Sequence, residues 1–231
     1  MTTVRPQARD GLLISVNVGL PRDVELNGEV RQTAIFKDPV PGRVKIVDHH
    51  VDGDRQADQV NHAGVHKAVY AYSREDLDFW AAELGREIED GFVGENLTVT
   101  GYDVSHAVVG ERWRVGGVEL EVAQPRIPCW KLGVRAGDQS MTRRFELALR
   151  PGAYLRVVAE GDVGAGDRLE VLSRPAHGFT VADGSRIFHR DRAEAARLLE
   201  VAELAPPLKQ WARKRLGIPE DGAGGGSESE A

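Results

Sequence analysis

The sequence predicts a mainly β protein with some α structure: a barrel-like β-domain followed by a small three-helix C-terminal domain. Three observations carry that expectation. Short runs rich in β-branched residues recur from residue 11 to about 172, some alternating between apolar and charged positions. Gly-containing turn signals separate these runs, without the regular helix alternation of a βαβ fold. After Arg174-Pro175 the pattern changes to short amphipathic stretches bounded by capping residues and prolines. The implied organisation is a disordered arm at 1–10, a β-barrel domain at 11–174, a three-helix domain at 175–218 and a disordered tail at 219–231.

Taken in order, residues 12–18 (LLISVNV) are β-branched and apolar, and residues 44–47 follow the turn signal Pro39-Val40-Pro41-Gly42. Residues 97–100, 118–122, 155–158 and 168–172 complete the predicted strands. Val118, Leu120 and Val122 alternate with Glu119 and Glu121, and Leu169 and Val171 with Arg168 and Glu170. Each of these is a strand with one buried face. One helix interrupts the strands. Ser73 with Asp76 reads as a capping box, Leu77, Trp80, Ala81 and Leu84 form one apolar stripe, and Gly85 ends it. Near the C-terminus, residues 181–188 read as a short helix. Residues 193–202 read as another, with Asp191 as N-cap and Glu194 three residues on. Pro206-Pro207 open a third, with Leu208, Trp211 and Ala212 on one face and Gly217 past its end. Helices this short bury little surface alone, so they are expected to dock on the β-domain or on a partner.

Composition excludes several classes of function. Hydrophobic residues make up 41% of the chain and charged residues 29%, an ordinary globular balance. The longest apolar runs are far too short to span a bilayer, and the first ten residues lack the apolar centre of a secretory signal. No membrane association is expected, and the expected location is cytoplasmic. A net charge of −6 argues against broad nucleic-acid binding, which relies on cationic surface. A single cysteine rules out an intrachain disulfide and any Cys-rich zinc or iron–sulfur site, and it fits a reducing compartment.

That cysteine, Cys129, lies in VAQPRIPCWKL at residues 122–132. The segment leaves a good strand and enters a turn stiffened by Pro125 and Pro128. Arg126 and Lys131 lie within five residues, and a neighbouring cation favours the thiolate that attacks electrophiles or binds soft metals. A buried cysteine acting as a small hydrophobe beside Trp130 is the bland alternative. His62 and His66 in VNHAGVHKAVY have the i, i+4 spacing of a helical zinc pair, but Gly64 weakens a helix there and the glutamate of a zinc protease is missing. His62 and Lys67 facing an anionic ligand is the other reading; His49 and His50 fit a surface loop. Asn96 in FVGENLTV offers an amide to a heterocycle edge or caps a turn, and Lys37 in IFKDPV is an ordinary solvated lysine when taken alone. No P-loop, Rossmann fingerprint or nucleophile elbow is present.

Together these segments resemble the MOSC family, in its YiiM-like branch. The likeness runs in order through IFKDPVPGRV, QADQVNHAGVHKAVYAYSREDLDFW, GFVGENLTV, QPRIPCWKL and GAYLRV, then the three-helix tail. Where the family more often carries two glycines after the first histidine of the second segment, this chain has Ala63 in place of one. The resemblance implies a MOSC β-barrel and the molybdenum cofactor (molybdopterin), with Cys129 as metal ligand. It further implies reduction of N-hydroxylated compounds such as hydroxylamino-purines and amidoximes, with electrons from a separate flavoprotein reductase. Lys37, Arg126 and Lys131 are then the candidates for the anionic cofactor. Asn96 and His62 line the same pocket, His62 as a proton donor. Two alternatives stay open: a sulfur carrier using a Cys129 persulfide, and a non-catalytic cofactor carrier. The oligomeric state is also open, a homodimer included. Lys209, Arg213, Lys214 and Arg215 give the last helix a basic face, read first as solvated and second as a dock for the electron donor.

Overall fold

The computed structural model describes residues 10–57 and 64–219. In chain order the first strands are β1 (Asp10–Val18), β2 (Arg22–Leu26), β3 (Glu29–Thr33), β4 (Asp38–Pro39), β5 (Arg43–Val47), β6 (His50–Val51) and β7 (Val69–Ser73). Helix α1 (Arg74–Leu84) leads to β8 (Leu97–Thr100), β9 (Arg112–Val115) and β10 (Val118–Pro125). Helices α2 (Trp130–Ala136) and α3 (Met141–Ala148) precede β11 (Ala153–Ala159), β12 (Gly161–Gly164) and β13 (Arg168–Ser173). Helices α4 (Val181–His189), α5 (Arg197–Glu200) and α6 (Pro206–Leu216) complete the described chain.

Seven strands close a mixed barrel in the order β13-β9-β10-β11-β7-β8-β1, with β1 pairing back onto β13. Strands β7 and β8 run parallel, because the crossover through α1 joins them; the other barrel pairs are antiparallel. Closure removes the exposed sheet edges that would otherwise invite aggregation. The alternation read from the sequence is realised: Val118, Leu120, Val122 and Leu169 are fully buried. Barrel residues such as Trp113, Leu120 and Leu155 share one core with Ile187, Leu198 and Leu208 of the C-terminal helices. A second cluster joins Tyr72, Leu77, Trp80, Leu132 and Phe145 beneath α1, α2 and α3. The Trp80 and Phe145 rings stack there at 5.7 Å.

Three local expectations need correction. Ser73 is the N-cap of α1, but its hydroxyl donates to the Tyr102 carbonyl and accepts from the Val104 N–H, each at 3.0 Å. Asp76 meanwhile accepts from Ser105 at 2.8 Å and pairs with Arg150. Partners on the loop after β8 thus engage both side chains of the predicted capping box. The box forms instead at α4, between Thr180 and Asp183. The predicted helix at 193–202 breaks into a 3-10 turn (Arg192–Glu194) and the single turn of α5, because Asp191 and Glu194 both turn to Arg186 rather than to a helix start. Helices α2 and α3 were not anticipated, nor was the β2–β3 hairpin. Among the described residues, no helix is long and apolar enough to cross a membrane.

Candidate functional site

Strand β10 delivers the cysteine segment. It stays paired with β11 as far as Pro125, opposite Ala153, and four residues later Cys129 becomes the N-cap of α2. The Cys129 carbonyl accepts the Leu132 N–H at 3.0 Å and the Thr142 hydroxyl at 3.2 Å, so α2 and α3 both hold its backbone. The half-buried Cys129 side chain borders two cavities. One, of about 70 Å³, is also lined by Lys37, Asn96, Arg126 and Lys131. Five of the six residues singled out from the sequence therefore meet in one pocket. The sixth, His62, lies outside the described residues.

Lys37 and Asn96 converge on Asp54, which no local sequence pattern singles out. Lys37 and Asp54 form a buried ion pair, and Asn96 Nδ2 donates to the same carboxylate oxygen at 3.0 Å. The Gly19 N–H holds the other carboxylate oxygen at 2.8 Å. Burial pushes the Lys37 ammonium below its ordinary pKa, against the pull of Asp54. Asn96 Nδ2 also donates to the Asn17 carbonyl at 3.3 Å, and its Oδ1 accepts the Tyr70 N–H at 3.2 Å. Both amide hydrogens are thus engaged within the protein, leaving one lone pair of Oδ1 for the pocket.

A second unanticipated carboxylate organises the neighbouring loop. Glu95 is fully buried and accepts the N–H groups of Gly91 at 2.6 Å and Val93 at 3.1 Å and the Thr98 hydroxyl at 3.0 Å. Burial pushes its carboxyl up to about 7 in spite of these bonds. The loop so folded presents the Val93 carbonyl to Arg126, which donates Nη1 to it. The Arg126 guanidinium lies 5.1 Å from the Tyr70 ring centroid and 5.8 Å from that of Phe145. Burial opposes its charge, yet Tyr70, Tyr154 and Cys129 hold its pKa above the usual value. No carboxylate pairs with the buried Arg126 guanidinium among the described residues.

Among the described residues, no group of three His, Cys, Asp or Glu side chains is placed to hold an ion; His62 of the histidine pair lies outside them. His66 sits in a 3-10 turn (Val65–Lys67), and its Nδ1 accepts from Arg156 Nε at 2.7 Å. Burial, then the adjacent Arg156 charge, lowers its pKa.

Comparison with known proteins bears on this arrangement. The model of the MOSC domain matches residues 58–170. The chain is 34% identical over 199 residues to YflK of Bacillus subtilis (strain 168), covering 86% of this chain and 90% of that protein. The chain belongs to the MOSC family. Another relative is YiiM of Escherichia coli (strain K12), 32% identical over 192 residues, with 80% of this chain and 84% of YiiM covered. A protein named as a reductase from Gibberella moniliformis is 30% identical over 203 residues; the match takes in 86% of this chain and 36% of that longer protein. The crystal structure of YiiM from Geobacillus stearothermophilus superposes with a TM-score of 0.74 at 25% identity, covering 89% of this chain and 99% of that one. The seven-stranded barrel with its six helices therefore matches the architecture of YiiM. At the level of the family, the function is one associated with the molybdenum cofactor.

Proposed function

We propose that this MOSC protein is a molybdenum-cofactor-dependent reductase of N-hydroxylated compounds. The observation that carries the reading is the placing of Arg126, a buried cation that no carboxylate pairs with among the described residues, beside the Cys129 thiol on one pocket wall. That donor set fits the cofactor: a soft sulfur suits molybdenum, and fixed cations suit an anionic dithiolene and phosphate. Cys129 would hold the metal, and Arg126, Lys131 and Lys37 would hold the anionic groups. When bound, the cofactor supplies two-electron removal of oxygen from an N–O bond.

The chain's own residues then bind, orient and protonate. Reduction of R–NHOH to R–NH2 and water consumes two electrons and two protons. A separate flavoprotein supplies the electrons in this proposal, and His62 supplies a proton. Arg126, locked by the Val93 carbonyl and flanked by Tyr70 and Phe145, cannot swing away, so its charge stays fixed on the pocket. The name of the fungal relative, a reductase, supports the same class of chemistry.

The test is metal and pterin analysis of wild type and Cys129→Ala made in a cofactor-competent host, with turnover of an N-hydroxylated base measured alongside. The reading requires near-stoichiometric molybdenum and pterin in wild type, and loss of metal or of turnover in the variant. Wild-type protein free of both, under conditions that load a known cofactor-binding control, overturns it and leaves sulfur transfer through a Cys129 persulfide as the better account.

A further inference from the structure

A separate cavity of about 350 Å³ lies at the seam between the barrel and the C-terminal helices. The barrel supplies Arg156 of β11 and His66 of the 3-10 turn; the C-terminal segment supplies Ala202, Leu204 and one stripe of α6. That stripe is Pro206, Lys209, Gln210 and Arg213, spaced i, i+3, i+4 and i+7, so a single helix face overlooks the space. Pro207 and Leu208, elsewhere on α6, line the second cavity that Cys129 borders. Among the described residues the seam cavity shares no wall residue with either cavity at Cys129.

The donors on its wall can be read one by one. His66 Nδ1 accepts from Arg156 Nε at 2.7 Å, and an arginine N–H can only donate, so the ring proton sits on Nε2. A second proton on Nδ1 would face the Arg156 N–H, which keeps the ring neutral and Nε2–H its donor. Lys209 gives an ammonium N–H to the Ala202 carbonyl at 2.8 Å, and Arg213 Nη1 donates to the Pro219 carbonyl at 3.3 Å. Burial lowers the Lys209 pKa; Glu203 pulls the other way, and the Arg156 and Arg213 charges add to the lowering. Glu121 pairs with Arg156, and the Glu203 carboxylate lies 3.4 Å from His177, so Lys209 and Arg213 leave the seam with an excess of positive charge. Like charges gathered round one space carry a cost that an anion between them removes.

We infer that the seam cavity binds the phosphate group of a small organic phosphate, held between Lys209 and Arg213 of α6 and His66 and Arg156 of the barrel. A phosphate monoester offers three strong acceptor oxygens to these donors, and the planar arginine fork matches it. The cavity holds more than a bare phosphate, and Leu204 and Pro206 give its wall apolar surface, so the organic body of the ester also has a place. One ligand touching both helix and barrel fixes α6, and with it the Leu208 edge of the cavity beside Cys129. The inference is independent of the reductase reading, because none of its residues belongs to the cofactor pocket.

The test is calorimetric titration of the full chain, made in a cofactor-competent host, with inorganic phosphate, phenyl phosphate and phenol. Wild type is compared with Lys209→Gln, Arg213→Gln, Lys214→Gln and Lys131→Met. Phenyl phosphate should bind wild type and raise its thermal midpoint, and phenol should do neither. Lys209→Gln and Arg213→Gln should each weaken binding about tenfold, the loss of one charge-assisted bond. Lys214→Gln, the same change at an exposed position of α6 outside the cavity, should leave binding unchanged, as should Lys131→Met in the cofactor pocket. Inorganic phosphate that binds as tightly as phenyl phosphate, with the same pattern across the variants, supports the site and makes free phosphate its occupant. No binding of either phosphate to wild type, phenol binding as tightly as its phosphate, or equal weakening in Lys214→Gln overturns the inference. Weakening confined to Lys131→Met also overturns it and places the anion in the cofactor pocket.

Discussion

The Lys37 ammonium and the Asp54 carboxylate form an ion pair inside the protein, with the two residues 7% and 8% exposed. Lys37 lies on the wall of the cationic pocket, and Asp54 is tied further to Asn96 and to the Gly19 N–H. Removing one partner strands the other charge away from water. Asp54→Leu is expected to cost about 3–5 kcal/mol of folding stability. Lys37→Met combined with Asp54→Leu should cost clearly less than the sum of the single changes. Urea denaturation of the four proteins measures the coupling; strict additivity would show that the pair is not a unit.

Glu95 gives a pH dependence with a defined sign. Its carboxyl is pushed up to about 7 by burial, from an unfolded value of 4.5. Between those values the folded state binds more protons than the unfolded state, so the Glu95 contribution to stability is full below pH 4.5. It falls as pH rises through 7 and is level above. The change is at most roughly 3 kcal/mol. Glu95→Gln cannot titrate, and it also loses an acceptor for one of the Gly91 and Val93 N–H groups. The stability gap between wild type and the variant should therefore be wider at pH 5 than at pH 8. Denaturation midpoints across that range decide it, and a gap independent of pH would assign Glu95 an ordinary pKa.

These two carboxylates also mark what the sequence could not disclose. Strand β10 was legible because Glu119 and Glu121 alternate with buried valine and leucine, and Cys129 stood out because it is the single cysteine between prolines and cations. Asp54 and Glu95 sit in Gly-containing turns, where a carboxylate is ordinarily solvated; only tertiary closure buries them. The β2–β3 hairpin was readable in principle. Asn27 (φ 55) and Gly28 (φ 80) at its turn are the dipeptide that favours two left-handed residues in succession. Helix α2 is only seven residues long and carries Gly133, too short for a periodic stripe to register. Thr142 on α3 reaches the Cys129 carbonyl, a contact no local pattern announces.

Arg126 should tolerate no cationic substitute. Its Nη1 bond to the Val93 carbonyl and its position between Tyr70 and Phe145 depend on a planar fork, which lysine lacks. Arg126→Lys is expected to lower molybdenum and pterin content about tenfold or more, with a modest loss of stability of about 1–2 kcal/mol. Metal analysis paired with denaturation separates the two effects. Full cofactor content in the variant would remove Arg126 from the binding set.

Gly91 makes the tightest demand on the site. Its φ is +85°, and a Cβ there would lie 2.4 Å from the Lys37 carbonyl oxygen and 3.3 Å from Asn17 Cβ. Its N–H is also one of the bonds that hold Glu95. Gly85, at the end of α1, shares the left-handed conformation (φ +62°) but has nothing within 4 Å of the added atom. Alanine at Gly85 should therefore cost only the backbone term, about 1 kcal/mol. Gly91→Ala adds a clash that backbone must relieve, so roughly 2–4 kcal/mol is expected. Relief moves the loop away from Lys37 and carries the Val93 carbonyl off Arg126, so cofactor content should fall in Gly91→Ala alone. Denaturation and metal analysis of both variants test this. Equal stability losses with equal cofactor content would mean that the close approach of Gly91 to Lys37 does not shape the pocket.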